Sequence, residues 1–220
     1  MTTGLELDTR SKLLKAAVSV FSKVGYAGAS VRQIADLAGV NHGSIRYHYA
    51  SKHDLWCASI AYLFALMEAA VHKDDARWAS MTPRERIINA TGHYIRFHAK
   101  HPALHRMIMF ETVHESERLD WLNDNYIRPF TDRAIAAVAL AQQQGVYRNN
   151  ISPLNLHCIN AMAAKSIFMM AAEIKKSSGV DVFEDSEVER HIEAVLAITL
   201  LPENSAEQAK RKTRVARDPG

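Results

Sequence analysis

Apolar residues recur at helical spacing through almost the whole chain. Leu13, Leu14, Ala17, Phe21 and Val24 lie on one stripe and Gly25 follows as a stop, which predicts a helix over 9–24. Two short segments come next, 31–38 and 42–49, separated by Gly39-Val40-Asn41. Ser51, with Asp54 three residues on, forms a capping box that opens a long amphipathic helix running to about residue 79. Thr82-Pro83-Arg84-Glu85, His101-Pro102 and Ser152-Pro153 mark three further starts, each with proline in the first turn, where its missing N–H costs nothing. Ser186 and Glu189 give another capping box. The pattern therefore predicts helices over 83–100, 102–114, 117–144, 153–177 and 184–201, with Pro129 bending or splitting the segment 117–144. The fold class is all-α, with about nine helices.

Composition strengthens that picture. Only 9 Gly and 6 Pro occur among 220 residues, about 7% against an average near 12%, and 32 residues are Ala, the best helix former. A sandwich, a barrel or a doubly wound sheet would need more turn residues. Cys57 and Cys158 stand a hundred residues apart in apolar helical surroundings and are expected to be buried thiols in a reducing cytoplasm. No charged segment followed by an apolar one opens the chain, and the apolar tract at 167–172 is bounded by Lys165 and Glu173, so neither secretion nor membrane spanning is expected.

The net charge of +3 is uninformative until it is divided along the chain. Residues 1–52 carry seven basic and three acidic side chains, 53–201 carry 15 and 18, and 203–220 carry five and three. Positive charge is thus concentrated in residues 1–52, which contain the segment Val31-Arg-Gln-Ile-Ala-Asp-Leu-Ala-Gly-Val-Asn-His-Gly-Ser-Ile-Arg-Tyr-His-Tyr-Ala50. This segment reads as a helix-turn-helix. Ala35 is small where two steeply crossing helices touch, Gly39 tolerates the left-handed turn, and Ile34, Ala38, Val40 and Ile45 face the shared core. If the second helix enters the major groove, its N-terminal and outward side chains meet the bases. Asn41 then caps it, Gly43 allows close backbone approach, and His42, Ser44, Arg46 and Tyr47 point outward. Arg46 suits a bidentate contact to guanine, Tyr47 and Ser44 suit phosphate oxygens, Arg32 reaches the backbone or a flanking base, and Lys52 holds a phosphate at a helix N-terminus. His48 and Tyr49 fall on the inward side.

These residues resemble the TetR/AcrR family of transcriptional regulators. The resemblance is carried by Leu14 to Phe21, Gly25-Tyr26, Ser30-Val-Arg-Gln-Ile-Ala35, Ala38-Gly-Val40, Gly43-Ser-Ile45 and Tyr47-His-Tyr-Ala-Ser-Lys52. The family usually has Tyr at the position of Arg46 and often Lys at that of His42, two departures that fall on reading positions. The resemblance implies an N-terminal helix-turn-helix three-helix domain (9–52) and a C-terminal helical ligand-sensing and dimerisation domain (53–202), while 203–220, polar, charged and without periodicity, are expected to form a disordered basic tail. It also implies a homodimer on palindromic double-stranded DNA, released by a small-molecule effector. The activity expected is repression in the cytoplasm, without enzymatic function, membrane or cofactor.

The last two predicted helices are more apolar than one buried stripe requires, so Ala161, Met162, Ala164, Val188, Ile192, Val195 and Leu196 are expected at the dimer interface. Met67, Tyr94, Phe97, His98, Met107, Phe110, Glu111, Trp121 and Phe168 combine apolar surface with a few polar groups, as an effector pocket requires. His101 and His105 share a helix face, yet without Cys ligands or an HExxH pattern they predict no metal site. There is no GxSxG elbow, glycine-rich phosphate loop or distinctive carboxylate pair, so no catalytic residue is assigned. The rival reading is an all-helical enzyme or carrier whose basic N-terminus binds a protein partner.

Overall fold

A computed structural model of the chain describes residues 2–73 and 75–202, with the side chains of 2–8 and 75 excepted; the expected tail 203–220 lies outside the described residues. Its helices are α1 (Thr2–Gly28), α2 (Val31–Ala38), α3 (His42–His48), α4 (Lys52–Val71), α5 (Asp75–Trp78), α6 (Pro83–Lys100), α7 (Pro102–His114), α8 (Glu117–Leu122), α9 (Arg128–Gln143), α10 (Pro153–Met169), α11 (Ala171–Ser178) and α12 (Asp185–Thr199). Breaks within predicted segments raise the number above nine. The segment 117–144 is interrupted by a π-helical turn, Asn123–Ile127, just ahead of Pro129, whose ring nitrogen has no proton for the helical ladder. A second break falls at Met170, between α10 and α11.

Two predicted caps form as expected. Ser51 Oγ donates to Asp54 Oδ2 at 2.7 Å and accepts from the Asp54 N–H. Glu85 Oε2 accepts from the N–H and the hydroxyl of Thr82 at 2.7 and 2.8 Å. The Ser186–Glu189 box does not form. α12 begins at Asp185 behind Glu184, and Glu189 instead takes a bidentate pair with Arg96, at 2.7 and 2.6 Å, which outcompetes a local cap.

The described residues divide into two compact units, one made of those up to 70 with 100–124, the other of 71–99 with 125–202. This packing differs from the expected division into 9–52 and 53–202, because α7 and α8 belong with the N-terminal helices. Gly25 explains part of the difference. Its φ of +69° breaks the helical path inside α1, and a Cβ there would lie 2.9 Å from Cδ1 of Phe110 on α7, so only glycine admits that ring.

In the first unit Leu13, Ala17 and Phe21 of α1 are fully buried with Ile34 and Ala35 of α2, Ile45 of α3 and Leu55, Trp56, Ile60 and Leu63 of α4. The stretch 52–78 is long and apolar enough to cross a membrane by length and composition alone; within it Leu55, Trp56, Ile60, Leu63, Phe64 and Met67 of α4 are buried in the protein. In the second unit, one core joins Ile95, Ala164, Phe168, Val182, Val188, Ile192 and Val195. Another joins Val138, Ala141, Val146, Tyr147, Leu156 and Leu200, where the Leu201 N–H donates to Val146 O and Arg84 donates to Leu201 O.

Candidate nucleic-acid interface and effector cavity

The helix-turn-helix is built from local rules. Ser30 Oγ accepts from the Gln33 N–H and opens α2. Gly39, at φ 66° and ψ 34°, closes it in the left-handed region, with the Val40 N–H returning to Ala35 O. Asn41 Oδ1 accepts from the Gly43 N–H at 2.9 Å and opens α3. Ile34, Ala35 and Ile45 are buried, which fixes the roll of α3 and leaves its opposite side free.

On that side Arg46 and His42 are exposed, Tyr47 is 72% exposed, and Ser44 is half-buried. Arg32, Asn41 and Gly43 are exposed as well, so seven of the eight residues expected to meet DNA form the outward surface of α2 and α3 or its edge. Nε2 of His42 lies 3.4 Å from Asp36 Oδ1, an acid on α2 that competes with any base for this imidazole. Tyr49 is buried and His48 half-buried, in keeping with their inward placement; the Arg10 guanidinium lies 5.8 Å from the centre of the Tyr49 ring.

Lys52, the eighth, is held rather than loose. Its Nζ sits 4.4 Å from the centre of the Tyr26 ring, and the Arg118 guanidinium sits 4.0 Å from the same ring. Partial burial first, and the Arg118 charge second, hold the Lys52 ammonium below the usual lysine range. Arg118 in turn donates from Nε to Glu111 Oε2 at 2.9 Å, and Ser116 Oγ donates to the same oxygen at 2.6 Å. Glu111 is 2% exposed. The chain Glu111–Arg118–Tyr26–Lys52 thus links α7 and α8 to the start of α4.

Glu111, expected from sequence in the effector pocket, is held by Arg118 and Ser116 within the first unit. Within the second unit a cavity of about 180 Å³ is lined by Val71, Ile87, Ala90, Phe130, Ala134, Ala137, Val138, Ala161, Ala164 and Val195, with Thr91, Tyr94, Tyr147, His157 and Asn160 as its polar members. Of the nine pocket residues expected from sequence, Tyr94 lines it. Met67, Met107, Phe110, Glu111 and Trp121 belong to the first unit, where Trp121 packs edge-on to Trp56 at 5.7 Å between ring centres. Phe97 and His98 are buried on α6, and Phe168 stacks on Phe183 in the core. Phe130, Tyr147, His157 and Asn160 went unrecognised. The available signal was Asn160, a polar residue amid Ile159, Ala161 and Met162.

The residues expected at the dimer interface divide by exposure. Ala164, Val188, Ile192 and Val195 are at most 6% exposed in the single chain, so they form its own core. Met162 is exposed, Ala161 and Leu196 are half-buried, and Leu154, Ile159 and Ile198 are exposed apolar residues absent from the expected set. Cys158 is exposed rather than buried, because it lies one turn from Leu154 and from Met162 on the outward face of α10. Cys57 is half-buried 3.4 Å from His53 Nε2, and burial followed by the Asp54 charge pushes its thiol up to about 11. Among the described residues no three His, Cys, Asp or Glu side chains group as metal ligands.

A helix-turn-helix whose second helix, α3, carries Arg46 and His42 on its exposed side defines a DNA-binding regulator. Residues 13–57 match the model of the tetR family of bacterial regulatory proteins, and 83–198 match that of the tetracyclin repressor-like C-terminal domain. The chain belongs to this family. It is similar to the transcriptional repressor NicS of Pseudomonas putida, 26% identical over 147 residues that cover 65% of this chain and 68% of NicS. It is also similar to the transcriptional regulator BetI of Pseudomonas fluorescens, 25% identical over 56% of this chain and 64% of BetI, which is less than two thirds of that relative's length. Among solved structures, the ketosteroid transcriptional regulator KstR2 of Mycobacterium tuberculosis shares the fold, with a TM-score of 0.66 at 17% identity over 88% of this chain and 95% of that one. The protein is a DNA-binding transcriptional regulator, and its relatives are regulators rather than enzymes.

Proposed function

We propose that this chain is a cytoplasmic repressor that binds a palindromic operator as a homodimer through residues 9–52 and leaves it when a small molecule enters the second unit. The observation that carries the reading is the outward row His42, Arg46 and Tyr47 on a helix whose roll is fixed by buried Ile45. A monomer with one such helix reads too few base pairs for operator affinity, whereas a two-fold pair reads two half-sites about 34–36 Å apart. Exposed Leu154, Ile159, Met162 and Ile198 support self-association, since apolar side chains of this size lose favourable free energy when left in water. The cavity lined by Tyr94 and Asn160 supports an effector.

Selection of bound duplexes from a random pool tests the first half, with an inverted repeat as the expected product. Recovery of sequences without two-fold symmetry, or none enriched above background, overturns it. Sedimentation of the free protein at micromolar concentration is expected to give a dimer, and Met162→Asp to shift it toward monomer.

A further inference from the structure

We infer that the effector of this protein is a compact, uncharged molecule about the size of a substituted benzene ring, which donates a hydrogen bond to Asn160 Oδ1. The inference rests on the reading that the chain answers to an effector, and it adds the effector's chemistry.

Three observations support it. Asn160 Oδ1 is buried with no hydrogen-bond partner among the described residues, and Asn160 lines the cavity. A buried acceptor left unpaired costs free energy, so a guest that supplies a donor recovers what the protein alone forfeits. The volume suits a guest of that size: about 180 Å³ here, where an engineered apolar cavity of about 150 Å³ accepts benzene.

The lining sets the charge. Burial holds the Tyr94 hydroxyl far above its ordinary range and pushes that of Tyr147 up to about 12, so both stay protonated. Burial, and then the nearby Lys165 charge, hold His157 below the usual imidazole range, so it is neutral at pH 7. Thr91 and Asn160 carry no charge, and no carboxylate, ammonium or guanidinium lines the cavity. A carboxylate or ammonium guest would lose hydration here with no opposite charge in the walls to replace it, Lys165 standing outside the lining.

The test uses calorimetric titration of the full-length protein with phenol, toluene, benzoate and benzylamine, four probes of similar size that differ in donor and charge. Phenol is expected to bind at least ten times tighter than benzoate or benzylamine. Asn160→Leu is expected to shift the phenol-to-toluene affinity ratio at least tenfold toward toluene. Asn160→Asp keeps the side-chain shape and is expected to move preference toward benzylamine, which holds the inference open to test should the leucine variant fold poorly. Benzoate or benzylamine binding tighter than phenol to the parent protein overturns the inference, as does a phenol-to-toluene ratio unmoved by Asn160→Leu, or no binding by any probe at millimolar concentration. Operator release is read separately by gel shift. Asn160-dependent phenol binding without release overturns effector control and leaves the site standing; release by a compound whose binding ignores Asn160 does the reverse.

Discussion

In the first unit Glu111 is buried and answered, with Ser116 and Arg118 donating to one carboxylate oxygen and Arg118 sharing the Tyr26 ring with Lys52. In the second unit the cavity walls carry five polar side chains and no charge at pH 7. The contrast follows from what each region must hold. A surface that meets a polyanion needs cations at fixed positions, and a buried acid behind them supplies a fixed anchor. A cavity for a guest must not attract water or ions more strongly than the guest itself.

Four measurements test this contrast. The largest effect is expected from Gly25→Ala, which sets strain at φ +69° on top of overpacking against Phe110. A loss of about 2–4 kcal/mol in chemical denaturation is expected. A loss below about 0.5 kcal/mol would mean that the Phe110 ring moves aside freely and that the first unit is loosely assembled around it. Next comes Arg46→Ala, expected to flatten discrimination at one base pair per half-site by about 1–3 kcal/mol in competition binding with single-base operator variants. Equal affinities for every variant in both proteins would place Arg46 away from the bases.

A smaller and different effect is expected from Lys52→Ala. Binding should weaken alike for all sequences, and the slope of log affinity against log salt should fall by about one. An unchanged slope would confine Lys52 to its contact with Tyr26. The smallest effect concerns His157, whose protonation is opposed by its surroundings in the folded protein. The unfolded chain therefore takes up the proton first, and stability contributed by this group is present above the ordinary value of 6.5 and is lost as pH falls below it. Urea denaturation at pH 7.5 and pH 5 should show a smaller difference for His157→Gln than for the parent; an equal difference would mean that water reaches this ring.

The same contrast explains which parts were legible from the residues in order. The head follows from short-range rules: Ser30, Gly39 and Asn41 act on backbone two to five residues away, and burial of Ile34 and Ile45 decides which side chains face out. Spacing along the chain therefore suffices to place Arg46 and Tyr47. The cavity draws on Val71, α6, α9, Tyr147, α10 and α12, and which of their many apolar residues meet there depends on helix crossings that periodicity does not encode. Phe168 and Val195 have the same local pattern, yet one is core alone and the other is both core and wall. The Ser186–Glu189 box failed for a related reason, since Arg96 arrives from 93 residues away. The break at Asn123–Ile127 was foreshadowed by Pro129, but not its extent.

Gly25 has a consequence for suppressor genetics. A side chain at this position meets two unrelated penalties, the positive φ and the Phe110 ring. Phe110→Ala clears the space but leaves the dihedral, and a change that relaxes the backbone of α1 leaves the collision. Second-site revertants of a Gly25 substitution should therefore recover part of the lost stability singly, and the rest only in pairs.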